Sequence, residues 1–359
     1  MSAKEGFNYA PTTSYREKVV QPGEFPFAAA YLDHGHIFGQ CGGLVDAGAN
    51  LSKIFDPDPA KAHALREKFP DASIVSDFRE ILEDPDIPLV AAAAIPNRRC
   101  DIGLQVMDAG KDYFTDKSPF TTLEQLEAAR RKVAETGRKY AVYYSERLHT
   151  EAGHHLGELL RQGVIGDVLQ VLIMAPHRLS KSSRAPWFFD KEQYGGILTD
   201  IGSHQFEQFL TYTGATGGTV NFARVANFSN PDTPGLEDFG EASLTMDNGA
   251  SCYCRLDWFT PDGSPVWGDG RTFVLGTRGM AETRKYWDIL QPGDPKDRIY
   301  LVNDDGPQRI ECAGKVGFPY FGKLILDVLN RTEHAMPQEH AFKAAELSMH
   351  AQALADAAR

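Results

Sequence analysis

Residues 27–48, FAAAYLDHGHIFGQCGGLVDAG, pass from an apolar run through a polar turn into a glycine-rich helical pattern. Dinucleotide-binding turns of the form Gly-x-Gly-x-x-Gly have this layout. The first glycine makes the tight turn, the second lets backbone approach a pyrophosphate, and the third lets the helix pack against the strand. Only the second is present, as Gly35, with Asp33 and Phe38 at the other two positions. Aspartate enters left-handed backbone more readily than most residues, so the turn itself can still form. The charge is the difficulty: a carboxylate about 6 Å from a phosphate charge costs roughly 3 kcal/mol at an effective dielectric of about 20. Asp33 is therefore expected to point away or to be neutralised by His34 or His36. On this reading His34, Gly35, His36 and Ile37 are the cofactor contacts of the turn.

Outward from this stretch, strand and helix patterns alternate as far as residue 147. PFAAAYL, LSKIF, SIV, PLVAAAAI, DYFTD and KYAVYYS read as strands, with helices between them. The helix after DYFTD is marked by two overlapping capping boxes, Thr121 with Glu124 and Thr122 with Gln125, and is closed by Gly137. Strands apolar on both faces, such as Leu89 to Ile95, indicate a parallel sheet covered by helices on both sides. Ligands of such sheets bind at the carboxyl ends of the strands. Those ends carry Asp33 to His36, Asp56, Pro96 with Asn97, and Asp116 with Lys117. Asp56 lies 21 positions after Gly35, where an acidic residue accepts hydrogen bonds from ribose hydroxyls and repels a 2′-phosphate. The expected cofactor is NAD in preference to NADP.

From His149 onward the pattern changes to a helix, a long strand, a helix from about Gly196, six short strands and two terminal helices. The expected architecture is an α/β Rossmann domain over 26–147, preceded by an arm over 1–25. An α+β domain with an open, mostly antiparallel sheet follows over 148–359. Asp200 and His204 are four residues apart on one helix, so the carboxylate is expected to orient the imidazole. Gly195, Gly196 and Gly202 around them are expected to let another element approach at a cleft.

Composition narrows the partners. With 37 basic and 49 acidic residues the net charge is −12, which disfavours nucleic acid and anionic membrane surfaces. The chain has neither an apolar leader nor an apolar run of membrane-spanning length, so a cytoplasmic protein is expected. Five scattered cysteines do not make a disulfide framework. The Cys252-x-Cys254 pair, with no histidine beside it, reads as core packing, and no metal site is expected.

Three motifs, AIPNRR after the fourth strand, DKS at 116–118 and GGILTDIGSHQ, together resemble the Gfo/Idh/MocA oxidoreductases over most of the chain. The most specific are the family's Asp-x-Gly-x-His, standing as Asp200 to His204, and the catalytic lysine of its Glu-Lys-Pro, standing as Lys117. LRQGVIGDV and VLGTRGMAE resemble further landmarks. The sequence departs from the family pattern in the glycine turn, in Ser118 for the proline, and in Cys100 for the histidine that usually follows Pro-Asn.

The resemblance implies hydride transfer between a nicotinamide and a secondary hydroxyl of a sugar or cyclic polyol. His204 would be the general base, Lys117 the donor to the reacting oxygen, and Asp200 the group orienting His204. Arg147, His177, Arg184 and Trp187 are the candidate substrate contacts, as polar forks and an aromatic platform. A homo-oligomer formed through the C-terminal sheet is also expected. Two other activities fit the same residues: a glycosidase using tightly held NAD for transient oxidation and elimination, and a non-catalytic sugar or nucleotide sensor.

Overall fold

The computed structural model describes residues 11–288 and 297–358, and these form two sheets. The first consists of β1 (Pro26–Ala30), β2 (Asn50–Phe55), β3 (Ser73–Ile74), β4 (Leu89–Ala92), β5 (Asp112–Asp116) and β6 (Tyr140–Tyr143). All its pairings are parallel, in the order β3-β2-β1-β4-β5-β6. The order reverses between β1 and β4, which opens a crevice at their carboxyl ends. There Tyr31 N–H donates to Phe55 O (3.1 Å), Ala93 N–H to Tyr31 O (3.1 Å) and His34 N–H to Ala93 O (2.9 Å), so the turn stays fastened to the neighbouring strands.

Local sequence accounts for the helices between these strands. Thr122 caps Leu123–Thr136 by accepting from Gln125 N–H, while the Gln125 side chain reaches back to Thr121 N–H (2.8 Å). Gly137, at φ 63°, ends that helix. Gly43, on Ile37–Asp46, meets the ring of Phe321, where a Cβ would sit only 2.3 Å from the ring. The glycine-rich helix is thus thinned where the Pro319–Asn330 helix packs against it.

The second sheet consists of β7 (Val168–Pro176), β8 (Gly218–Ala226), β9 (Phe239–Met246), β10 (Ser251–Asp257), β11 (Arg271–Gly276), β12 (Gly279–Arg284), β13 (Arg298–Asn303) and β14 (Gly306–Glu311). Its order is β14-β13-β12-β11-β7-β10-β9-β8, with β7 and β10 parallel and every other pair antiparallel. It is therefore two short meanders on either side of a central strand, where the sequence pattern suggested one continuous meander. The edge strand β14, with Pro307, Gln308 and Arg309 in its middle, lacks the apolar alternation that marks the others. Val171, Ile173 and Ala175 face the buried side of β7, beneath the Gly202–Thr213 helix. On the other side Phe273, Leu275, Met280 and Val302 are exposed.

The arm is packed where it is described. Val19 N–H donates to Ala47 O (3.0 Å), Thr13 Oγ1 donates to Glu151 Oε1 (3.0 Å), and Pro11 reaches the central cavity. Residues 11–20 thus pack against this chain itself, at Ala47 and Glu151, and the first ten residues lie outside the described ones. No helix among the described residues is long and apolar enough to cross a membrane.

Candidate functional site

A cavity opens at the carboxyl ends of β1 and β5, lined by His34, His36, Lys117, Glu146, His177, Arg184, Asp200 and His204 and walled by Phe188, Trp258 and Trp267. Two polar clusters meet in it.

The first centres on Asp116, the last residue of β5 and fully buried. His34 Nδ1 lies 3.1 Å from Oδ2 and His36 Nδ1 lies 2.8 Å from Oδ1, while the buried Arg99 guanidinium donates to Oδ2 at 3.1 Å. Lys117 N–H also donates to Oδ1 (2.8 Å). Burial alone would raise the Asp116 carboxyl, but the His36 and Arg99 charges and the imidazole hydrogen bonds hold it well below the ordinary range. Burial, with His36 beside it, pushes His34 down to about 3.

The two histidines therefore serve Asp116 and not Asp33, which corrects the sequence reading. Asp33 is neutralised by Lys61 Nζ (2.6 Å), from the Pro59–Lys68 helix, and also accepts from Ile95 N–H (3.2 Å). The helix from Ile37 has neither a side-chain cap nor an acidic residue in its first turn, which leaves its amino end suited to an anion. Asp56, at the end of β2, is braced by Leu32 N–H (2.6 Å) and Asp58 N–H (2.8 Å). Pro96 opens the short turn after β4, and Asn97 is fixed by donating to Glu192 O (3.2 Å) and accepting from Gln125 Nε2 (2.8 Å). The turn, the strand-end carboxylate and the Pro96-Asn97 loop thus fit a dinucleotide. His34, His36 and Asp116 also place their donor atoms within 4.8 Å of one another, a spacing a metal ion can use. Arg99 already occupies part of that carboxylate.

The second cluster belongs to the helices. Lys117 Nζ donates to Asp200 Oδ1 at 2.7 Å, both side chains being buried. The Lys117 charge outweighs burial and lowers the Asp200 carboxyl. Asp200 ends the short Ile197–Asp200 helix and His204 lies in Gly202–Thr213. The expected Asp200–His204 hydrogen bond does not occur among the described residues, because Lys117 takes the carboxylate. His204 Nδ1 is buried with no hydrogen-bond partner, and burial pushes the imidazole down to about 3, opposed chiefly by the charge of Glu146. Gly196 does permit a close approach, by Gln352 of the terminal helix: a Cβ there would lie 2.3 Å from the amide carbon.

Glu146, which sequence reasoning missed, sits on Ser145–Leu148 directly after β6. Its Oε2 accepts from Gln205 Nε2 (2.7 Å) and lies 4.0 Å from Lys285 Nζ, and its Oε1 lies 3.2 Å from His177 Nε2. The available signal was its place at the carboxyl end of the last parallel strand.

Of the candidate substrate contacts, His177 and Arg184 line the cavity. His177 Nδ1 donates to Ala175 O (2.9 Å), and the Arg184 guanidinium stacks over Phe188 (4.4 Å) and Trp258 (5.2 Å). Arg147 faces away, bound bidentately to buried Glu207 with Nε at 2.8 and 2.9 Å from its two oxygens. Trp187 is buried behind the wall, 6.1 Å from the His34 ring, and the aromatic surfaces are those of Phe188, Trp258 and Trp267. Cys252 and Cys254 are wholly buried in β10, as core packing requires.

Residues 30–144 match the family model of an oxidoreductase family with an NAD-binding Rossmann fold, and residues 154–282 match the GFO/IDH/MocA C-terminal domain. The crystal structure of a protein from Erwinia carotovora atroseptica is 47% identical, with a TM-score of 0.88, over 92% of this chain and 98% of that one. The NAD(+)-dependent scyllo-inositol 2-dehydrogenase of Bacillus subtilis is 26% identical over 65% of this chain and 65% of its own length. Levoglucosan dehydrogenase of Pseudarthrobacter phenanthrenivorans is 27% identical over 42% of this chain and 39% of its own. The chain thus spans less than two thirds of these curated relatives.

Proposed function

The chain belongs to the Gfo/Idh/MocA oxidoreductase family, with an NAD-binding Rossmann domain, and from that premise we propose that it oxidises a secondary hydroxyl of a sugar or cyclic polyol, or performs the reverse reduction. The observation that carries this reading is the buried Lys117–Asp200 pair, 2.7 Å apart, in one cavity with a neutral, unpartnered His204. The relatives named as scyllo-inositol and levoglucosan dehydrogenases support the substrate class.

The bound nicotinamide supplies the hydride acceptor or donor. Around it, Lys117 would donate a hydrogen bond to the substrate oxygen and stabilise the negative charge that develops there as the hydroxyl proton leaves. Asp200 is a positioning residue for that ammonium, not for His204. A neutral His204 accepts the hydroxyl proton, and Glu146, the strongest opposing charge on His204, stabilises the imidazolium so formed. The cavity's aromatic walls exclude water from this exchange. His34, His36 and Asp116 fix the turn that carries Gly35 and Ile37, and Asp56 favours NAD by repelling a 2′-phosphate.

A second copy of the chain covers the open face of the second sheet, where Phe273 (37%), Leu275 (48%) and Met280 (54%) are exposed on neighbouring strands. Screening scyllo-inositol, D-xylose and levoglucosan with NAD and with NADP, following reduced cofactor, tests the reading. Net cofactor reduction supports it. Glycoside cleavage without net reduction points to the transient-oxidation glycosidase, and binding without either reaction points to a sensor.

A further inference from the structure

Glu146 is 4% exposed, and its carboxylate is asymmetric. Oε2 is anchored by Gln205 Nε2 at 2.7 Å, whereas Oε1 is faced on one side by His177 Nε2 at 3.2 Å, without a well-aligned hydrogen bond, and keeps lone-pair capacity on the other. His204 Nδ1 is buried and without a hydrogen-bond partner among the described residues, and both side chains line the same cavity. Protein interiors seldom leave a carboxylate oxygen and an imidazole nitrogen incompletely answered in one place, unless a ligand supplies the missing groups.

Resting on the dehydrogenase reading, we propose that Glu146 accepts a hydrogen bond from a second hydroxyl of the substrate, adjacent to the one oxidised, so that the site selects a vicinal diol. A hydroxyl suits the place better than either charged alternative. Lys285 Nζ, 4.0 Å from Oε2, already compensates the carboxylate, so a substrate ammonium is not required. A substrate carboxylate or phosphate at Oε1 would meet like charge. The reacting hydroxyl lies with Lys117 and His204, its neighbour with Glu146, and the carbon skeleton between Phe188, Trp258 and Trp267. Asp200 Oδ1 is taken by Lys117, whereas Glu146 Oε1 retains capacity for a substrate donor.

The test compares wild type with Glu146→Gln, which keeps the shape and the Gln205 contact distance, and with Glu146→Asp, which keeps the charge but withdraws it. Each enzyme is assayed with NAD on scyllo-inositol, D-xylose and levoglucosan and on their monodeoxy analogues, and binding of the same compounds is measured by calorimetry. The expected result is that wild type prefers the intact diol by roughly 10-fold or more in kcat/KM, the scale on which a site built for a hydroxyl rejects its absence. In Glu146→Gln kcat falls on diol and deoxy compounds alike, because His204 loses its opposing charge, and beyond that the preference for the intact diol collapses through KM, while NAD affinity is unchanged and Glu146→Asp falls between. A diol preference in kcat/KM that persists undiminished in Glu146→Gln, or a wild type indifferent to the second hydroxyl, overturns the proposal. If no compound is turned over but diol binding still depends on Glu146, the dehydrogenase reading fails and this inference stands. If neither turnover nor binding of any of these compounds occurs, this inference fails.

Discussion

Around Asp116 each carboxylate oxygen is answered from two sides: Oδ1 by His36 and the Lys117 N–H, Oδ2 by His34 and Arg99. On the helical side of the same cavity, Glu146 Oε1 has only the poorly aligned His177 Nε2 at 3.2 Å, and His204 Nδ1 lacks a hydrogen-bond partner among the described residues. Both clusters are buried and both mix histidine with carboxylate. The difference lies in what each has left to give. A saturated carboxylate can only hold its neighbours in place, so Asp116 stiffens the altered dinucleotide turn that glycines would otherwise define. An unsaturated pair retains capacity for a substrate's donors and acceptors. The side chains that resemble one another most in type are therefore separated by their hydrogen bonds into a scaffold and a reaction site.

The largest effect that would break this contrast is on stability. Asp116→Asn leaves the fully buried Arg99 without its counter-charge, and breaking a buried pair by removing one partner costs about 3–5 kcal/mol. Glu146→Gln keeps its Gln205 anchor and loses only a 4.0 Å approach to Lys285, which retains its bond to Gln208, so it should cost less, about 1–3 kcal/mol. Urea denaturation of the two variants against wild type measures both, and similar losses would erase the distinction between scaffold and site.

Activity should show the reverse order. Lys117→Ala and His204→Ala each lower kcat by roughly 100-fold or more, as expected when a positioned acid–base group is removed. NAD affinity should stay within a few-fold of wild type, because neither side chain forms the turn. Calorimetry of NAD with both variants checks this, and a variant that stays active but loses NAD would reassign its residue to the scaffold.

Acid treats the two clusters alike. Burial pushes His34 and His204 to about 3, whereas in the unfolded chain each returns to the ordinary histidine value near 6.5. Between those values the unfolded state binds more protons than the folded one, so stability falls as pH falls. Each histidine contributes about 1.4 kcal/mol of loss from pH 7.5 to 5.5. His204→Gln should remove one such share from the pH dependence of unfolding, and an unchanged slope would place that imidazole in solvent.

Much of the fold was legible because it is local. Strands of the parallel sheet are short apolar runs bounded by turns, and the Thr122 cap and Gly137 stop are read from neighbours within one turn of helix. Lys117, Asp200 and His204 were legible as types and positions, but their pairing was not. The i,i+4 spacing brings Asp200 near His204, yet a lysine 83 residues away takes the carboxylate. Glu146 and Arg147 show the limit most plainly. They are consecutive on one helical turn, so their side chains diverge by about 100°. The arginine had the chemistry expected of a substrate fork, but its partner Glu207 is 60 residues off, and the carboxylate beside it is the one that faces the cavity. Likewise Trp187 was one residue from the platform that Phe188 helps to form. Direction depends on what packs behind an element, and that information is long-range.

The smallest effect concerns the turn itself. Asp33 is held by Lys61 at 2.6 Å, but the lysine side chain is 38% exposed, so solvent screens much of the pairing. If Lys61 is what keeps the Asp33 charge from the phosphates, Lys61→Ala should weaken NAD binding by roughly fivefold at low salt, or about 1 kcal/mol. The loss should shrink as ionic strength rises, since the interaction lies within reach of screening ions. Asp33→Gly removes the charge that Lys61 answers, so in the Asp33→Gly, Lys61→Ala double variant the loss should disappear. Calorimetric titration of NAD into the three variants at two salt concentrations follows these outcomes. A salt-independent loss in Lys61→Ala, persisting in the double variant, would mean that Lys61 supports the turn by packing, and that the carboxylate at the first glycine position carries no electrostatic cost for the cofactor.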